Sequence, residues 1–596
     1  MDKRGKGRFD LTPGIAVDGF EKDICRGFDE IYRKIQESVD HLAKDKTTVV
    51  VEYYPGVHRE LGEQLRRGLG AEHFFLSDEI YIPLDQAESK ISRDLTQDRV
   101  RGVMSTYRLE EFADGEKLAA LRGEAAAVSE GLVLICGVGA YLIAEPDILI
   151  YAELTRWEIQ KRYRRKELAN LFGDNYGEDF LRMYKRAFFF DWRMGDRKKR
   201  ELYHKADFFL DANRPDAPVL IPARAAEAAL DLCVSRPFRL VPYYDAGPWG
   251  GQWMKEQFGL DKDSDNFAWS FDGVPEENSL IFRFGDAAYE MPAINVVHMR
   301  PTELLGAKTE ARFGAEFPIR FDMLDTMGGG NLSLQVHPTT DFIRESYGMS
   351  YTQDESYYIL EAEDDASVYL GVKEGTELSE LIGALRESQS TGREFDAEKY
   401  INRFPAGKHD HFMIPGGTIH CSGKNTMVLE ISATPYIFTF KLWDWNRNGL
   451  DGRPRPVHID EGEQVIDMTR DRDRILSDGF INPLEPVAEG QGWREERTGL
   501  HELEFIETRR HWFTGTVPHD TEGTVHVLNL VQGDEVIVES PSGAFDPMRI
   551  HYAETFIVPA GAGEYTIRPA AGRPAQEFAT IKAFVRGTRR NRREEK

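Results

Sequence analysis

Residues 332–338 read Leu-Ser-Leu-Gln-Val-His-Pro, and two later stretches belong with them: Asp-Glu-Ser-Tyr-Tyr-Ile-Leu at 354–360 and Ile-Pro-Gly-Gly-Thr-Ile-His at 414–420. Apolar residues flank each polar one, which predicts strands. Gln335 and His337 are two apart, so an extended strand turns both side chains to the same face. The third stretch is apolar, then Pro-Gly-Gly, then Thr-Ile-His, which predicts a strand entering a tight turn that returns His420 towards a barrel mouth. Gln335, His337, Glu355 and His420 can therefore converge inside one β-barrel. Two imidazoles, a carboxylate and a neutral oxygen donor suit a borderline divalent ion such as zinc, with room for water or a substrate oxygen.

Working outward, the chain changes character near residue 238. Before it, helical patterns alternate with short apolar runs: Asp23–Asp45 is amphipathic, Thr47–Glu52 (TTVVVE) reads as a buried strand, and Val57–Gly68 as a helix. Gly131–Cys136 and Asp147–Tyr151 read as further strands. Alternating β and α of this kind implies a parallel sheet covered by helices. After it, short strands separated by Gly, Pro and Asp imply antiparallel barrels. Thr376–Ala406 interrupts them with a helical insert, marked by Leu378, Leu381, Ile382 and Leu385. A second all-β set, at 494–587, repeats the strand-turn grammar without the ligands. His519, His526 and His551 within it read as ordinary surface or strand residues. The basic tail from Arg586 to Lys596 reads as a solvated terminus.

The three stretches resemble the metal-binding signature of the type I phosphomannose isomerases, which are cupin proteins. The resemblance extends to Tyr243–Gly251 (YYDAGPWGG), Phe317–Thr326 (FPIRFDMLDT), Phe440–Arg447 (FKLWDWNR) and Asp451–Ile459 (DGRPRPVHI), and covers about residues 240–590. It implies that Gln335, His337, Glu355 and His420 are zinc ligands. It implies reversible aldose–ketose isomerisation at carbons 1 and 2 of a hexose, as the 6-phosphate. Lys441 stands where the family has a catalytic arginine, Gln353 where many bacterial members carry a lysine, and Asp322 where a lysine is usual. The family's Glu-Ser-Trp-Glu stretch survives only as Phe267–Ser270 (FAWS). Lys441 is then a candidate for stabilising an oxyanion or for shuttling the proton, Glu430 a second catalytic candidate, and Gln353 and Lys441 candidates for holding substrate. These swaps keep two other readings open: a non-catalytic sugar-phosphate sensor, and a cupin metalloenzyme of other chemistry or acting on an unphosphorylated sugar.

The region at about 20–235 resembles the uridine-kinase-like P-loop proteins, on Leu132–Tyr141 (LVLICGVGAY), Asp147–Ala152 (DILIYA) and Arg156–Lys166 (RWEIQKRYRRK). A working phosphate loop needs Gly-x-x-x-x-Gly-Lys-Ser/Thr. Glu52–Glu60 (EYYPGVHRE) has one glycine, no Gly-Lys-Ser/Thr, and an added negative charge, so ATP hydrolysis is not expected. Arg162, Arg164 and Arg165 form a possible anion patch or a solvated helix face. The expected fold class is multidomain: a degenerate P-loop-like α/β domain at 15–238, a cupin domain with the metal site and helical insert at 239–485, and a second cupin-like barrel at 486–590.

Composition bounds the function. At 596 residues, 41% hydrophobic and 30% charged, the chain is a globular protein of three or four domain-sized pieces. A net charge of −26 disfavours nucleic acid as a partner. Four cysteines without Cys-x-x-Cys spacing predict no disulfide framework. The charged start, Met-Asp-Lys-Arg-Gly-Lys, predicts no signal peptide, and no apolar run approaches a membrane span. The expected setting is cytoplasmic, with a small sugar phosphate as the partner.

Overall fold

Lys46–Tyr53 (KTTVVVEY) is buried at seven of its eight positions. A strand covered on both faces reads as a continuous apolar run, and this one lies inside a mostly parallel sheet. The computed structural model describes residues 9–433, 439–500, 504–570 and 577–587. In its seven-stranded sheet the order is Cys25–Arg26, Val219–Pro222, Phe208–Asp211, Ile148–Glu153, Lys46–Tyr53, Gly131–Gly137 and His73–Leu76. From Phe208–Asp211 to His73–Leu76 every neighbour is parallel. Helix Gly27–Leu42 buries Ile31 and Ile35, and helix Glu60–Leu69 buries Leu61 and Leu65. The strands and helices expected from periodicity in this part are present.

The chain divides into two compact units. One takes Gly14–Leu232 together with Ser279–Met299. That later segment forms the hairpin Ser279–Phe284 and Ala287–Pro292, whose first strand pairs in parallel with Gly14–Ala16. The other unit takes Cys233–Asn278 and the described residues from Arg300 to 587, with residues 9–13.

The second unit holds four antiparallel sheets. A six-stranded sheet runs His411–Ile414, Glu355–Ala362, Thr426–Ser432, Arg320–Asp325, Trp269–Gly273 and Tyr243–Asp245. A five-stranded sheet runs Ile401–Pro405, Ser367–Val372, Ile419–Ser422, Leu334–Val336 and Phe440–Trp443. These two carry every candidate site residue except Gln353, which lies two residues before its strand, and His337, which immediately follows one. The helical insert forms as Leu378–Thr391, burying Leu381, Ile382 and Leu385, while its end returns to the sheet as Ile401–Pro405. Further on, a six-stranded and a four-stranded sheet enclose a core of Phe513, Leu528, Leu530, Val536, Phe556 and Ile567. Among the described residues no helix is long and apolar enough to cross a membrane. The basic tail beyond residue 587 lies outside the described residues.

Candidate functional site

The turn 415–418 brings the three ligand stretches together. Gly417 takes φ +90°, which glycine adopts without strain, and its N–H donates to the His337 carbonyl at 2.8 Å. Gly416 passes so close that a Cβ there would stand 2.6 Å from the Pro338 carbonyl oxygen. Asp354 accepts the Gly416 N–H at 2.8 Å, which ties the turn to the residue beside Glu355. The turn thus fixes His337, Glu355 and His420 against one another.

Strand register then fixes the faces. Gln335 pairs with His420 on one side and with Lys441 on the other. Opposed residues of antiparallel strands project from the same face, so Lys441, Gln335 and His420 form one row. His337, two residues from Gln335, shares that face. On the six-stranded sheet, Glu355 pairs with Ser432, and Ser432 with Arg320; the next row is Tyr357, Glu430 and Asp322.

His337, Glu355 and His420 are buried, and their ligating atoms lie within 4.8 Å of one another. His420 Nε2 is 2.7 Å from one Glu355 oxygen, and His337 Nε2 is 3.1 Å from the other. His420 Nδ1 sits 2.9 Å from the Thr418 carbonyl, a contact in which Nδ1–H donates and which turns Nε2 inward. The Gln335 amide is 3.2 Å from that Nε2, and turning the amide over would present its oxygen. Burial works against a charged Glu355, yet the two imidazoles hold its carboxyl below the usual range. Convergent imidazole nitrogens around a carboxylate form a donor set that fits zinc.

Behind the trio lies a second layer. Gln353 donates to Glu355 and to Glu430, both at 3.1 Å. Burial pushes the Glu430 carboxyl well above its ordinary value, and the nearby charges of Asp322 and Glu355 add to this. Burial likewise raises Asp322, to about 6, against the pull of Arg320. Arg320, 1% exposed, donates through Nε to Asp322 at 3.2 Å. Sequence reasoning passed over Arg320. The signal was there: two opposite charges two apart in an apolar strand share one buried face.

The structure therefore brings Gln335, His337, Glu355 and His420 together, places Gln353 one hydrogen bond behind Glu355 and Glu430 one further, and sets the half-buried Lys441 beside Gln335. Elsewhere it differs from expectation. Arg162 is 1% exposed and donates to the carbonyls of Gly56 at 2.9 Å and Ala212 at 2.7 Å. Arg165 pairs with Glu158 and Glu167, and the Arg164 guanidinium lies over Phe180. Arg164 and Arg165 are exposed, as a solvated face requires, while Arg162 is enclosed by backbone carbonyls and departs from that reading. Glu52 is buried too, accepting the amides of Gly139 at 2.6 Å and Tyr141 at 2.9 Å, and burial raises it to about 7. In the last sheets, His519 and His526 are strand residues, in Val517–Asp520 and His526–Gln532, and they face the interior rather than the surface.

A family model described as a domain of unknown function, DUF8485, matches residues 27–235. Among curated proteins, the chain is similar to a mannose-6-phosphate isomerase of Streptococcus mutans, 26% identical over 222 residues, or 37% of this chain and 64% of that one. It is also similar to a probable mannose-6-phosphate isomerase of Bacillus subtilis, 26% identical over 235 residues, or 39% of this chain and 69% of that one. The match thus spans less than two thirds of the first relative's length. A solved mannose 6-phosphate isomerase from Bacillus subtilis aligns at TM-score 0.48 and 17% identity, over 58% of this chain and 99% of that one.

Proposed function

We propose that the protein is a zinc-dependent aldose–ketose isomerase of a hexose 6-phosphate, interconverting mannose 6-phosphate and fructose 6-phosphate. The observation that carries this reading is the buried convergence of His337, Glu355 and His420, with Gln335 and Lys441 in the same strand row. The names of the similar curated proteins support the substrate. Gln335, His337, Glu355 and His420 would hold the ion. When bound, it supplies a Lewis acid that polarises the sugar carbonyl.

The remaining work falls to the chain's own groups. A proton must leave one carbon and return to its neighbour, and a carboxylate with a raised pKa is a suitable base. Glu430 has that character and is held by Gln353. Lys441 brings a positive charge beside Gln335, where it can offset negative charge developing on the enediolate oxygen. Gln353 positions Glu430 relative to the metal-binding carboxylate.

The purified protein should contain about one zinc per chain, as a site of this donor set does, and should interconvert the two sugar phosphates. His337→Ala or His420→Ala should lose both metal and turnover. Full zinc in both variants would remove the ligand assignment; a zinc-loaded wild type that converts neither sugar would remove the isomerase reading.

We infer further that the antiparallel sheets are two cupin-like barrels and that the parallel-sheet unit is a degenerate P-loop-like fold. Supporting the second point, the strand after the first helix, Lys46–Tyr53, lies between Gly131–Gly137 and Ile148–Glu153, and leads through 54–59 into helix Glu60–Leu69. That connection is where a phosphate loop would sit. Arg162 and the one glycine there, Gly56, are bonded to each other instead.

A further inference from the structure

Arg320 is buried at the start of strand Arg320–Asp325 in the six-stranded sheet, with no part in the chemistry above. It occupies the same row as Glu355, two strands away across Ser432, which is roughly 10 Å between backbones at the usual strand spacing. Its guanidinium lies over the Phe271 ring, 5.3 Å from the centroid. Nε is bonded to Asp322, while Nη1 and Nη2 have no hydrogen-bond partner among the described residues. A fully charged group with two buried, unused donor nitrogens is costly to keep unless something arrives to accept from them. The planar fork of arginine suits two neighbouring oxygen acceptors.

The surroundings say which oxygens. The charged groups acting on Arg320 are Asp322, Glu277 and Glu430, with Tyr243 beside them. A phosphate dianion would meet three carboxyl groups against one guanidinium. A hydroxyl accepts from arginine and donates to a carboxylate, so it satisfies both sides of such a wall.

We propose that Arg320 and Asp322 form a hydroxyl-recognition wall, in which Nη1 and Nη2 of Arg320 hold two adjacent hydroxyl oxygens of the sugar and Asp322 accepts from one of them. This end of the site reads the polyol part of the substrate, and the phosphate lies away from it. The inference rests on the sugar-isomerase reading.

The test is steady-state kinetics and calorimetric binding of mannose and of mannose 6-phosphate to the full-length, zinc-loaded protein. Arg320→Gln should weaken both sugars by the same factor, about 10- to 100-fold, the usual range for lost hydrogen bonds to a charged group. Zinc content should not change. Arg320→Lys keeps the buried charge without the fork and should recover only part of the loss; it also serves if Arg320→Gln does not fold. A loss confined to mannose 6-phosphate would show that Arg320 reads phosphate and would overturn the proposal, as would unchanged affinity for both sugars. If the wild type turns over neither sugar, the isomerase reading fails by itself. Calorimetry then still decides, since mannose must bind the wild type and be lost from Arg320→Gln.

Discussion

Lys441 sits in register with Gln335, on the face that also carries His420. From there its ammonium can act on an oxyanion as a point charge. On this account Lys441→Ala should lower turnover about 10²- to 10³-fold, the loss seen on removing one electrostatic stabiliser. Lys441→Arg should keep most of the activity, and zinc content should be unchanged in both variants. An inactive, zinc-loaded Lys441→Arg would instead make Lys441 the proton carrier, because a guanidinium does not release its proton near neutral pH. At this scale the sequence was informative where spacing dictates geometry: residues two apart in a strand share a face, so Gln335 and His337 could be paired without a structure. It was silent where geometry depends on burial. Arg162 looks like any cation on the polar side of a helix, and nothing in helical periodicity announces that the carbonyls of Gly56 and Ala212 enclose it.

The turn between strands His411–Ile414 and Ile419–Ser422 is the element that sets His337, Glu355 and His420 against one another. Pro-Gly-Gly was legible as a turn because its residues are turn formers. The reason for both glycines was not legible, since it lies in a contact with residues 337–338 far away in sequence. Gly416→Ala would push a methyl group against the Pro338 carbonyl oxygen. The backbone must then give way, and the His337 and His420 rings move apart with it. We expect a loss of about 1–3 kcal/mol in stability, as for overpacking elsewhere, together with weaker zinc binding. Thermal unfolding of the metal-free protein and competition with a zinc chelator measure the two effects separately. Unchanged zinc affinity would show that the turn does not set the cradle. The histidines of the last sheets teach the opposite lesson. His511, His519 and His526 are spread along the chain and converge only through strand pairing, which a scan of the sequence does not follow.

Across the whole molecule, acid should act unevenly. His511, His519 and His526 are buried in the C-terminal sheets, and desolvation lowers all three, His511 to about 4. His519 lies 4.6 Å from the His511 ring, and neither of its ring nitrogens has a hydrogen-bond partner among the described residues. Lys582, Arg509 and Glu495 face this cluster, and Tyr565 stacks on His519. In the unfolded chain each histidine titrates near pH 6.5. Between that value and about 4 the unfolded state therefore binds more protons than the folded one. Stability from these groups is complete above about pH 6.5 and declines as pH falls, by up to about 1.4 kcal/mol per unit for each histidine. Glu495 and Glu554, both held below the usual carboxylate range, have the same sign at lower pH, while the half-buried His551 opposes it. Elsewhere the sign reverses. Burial raises Asp272, Asp325, Asp211 and Glu52 to about 7, so the folded state holds protons there that the unfolded state has released, and acid favours folding. On lowering pH from 7.5 to 5, protection against hydrogen exchange, taken relative to the intrinsic rate at each pH, should fall first in strands Ile506–Phe513, His526–Gln532 and Phe578–Val585. Strand Lys46–Tyr53 should stay protected. His519→Leu, which removes a titrating group without adding charge, should reduce the acid sensitivity. Equal loss of protection in both regions, or none in the last sheets, would refute the assignment.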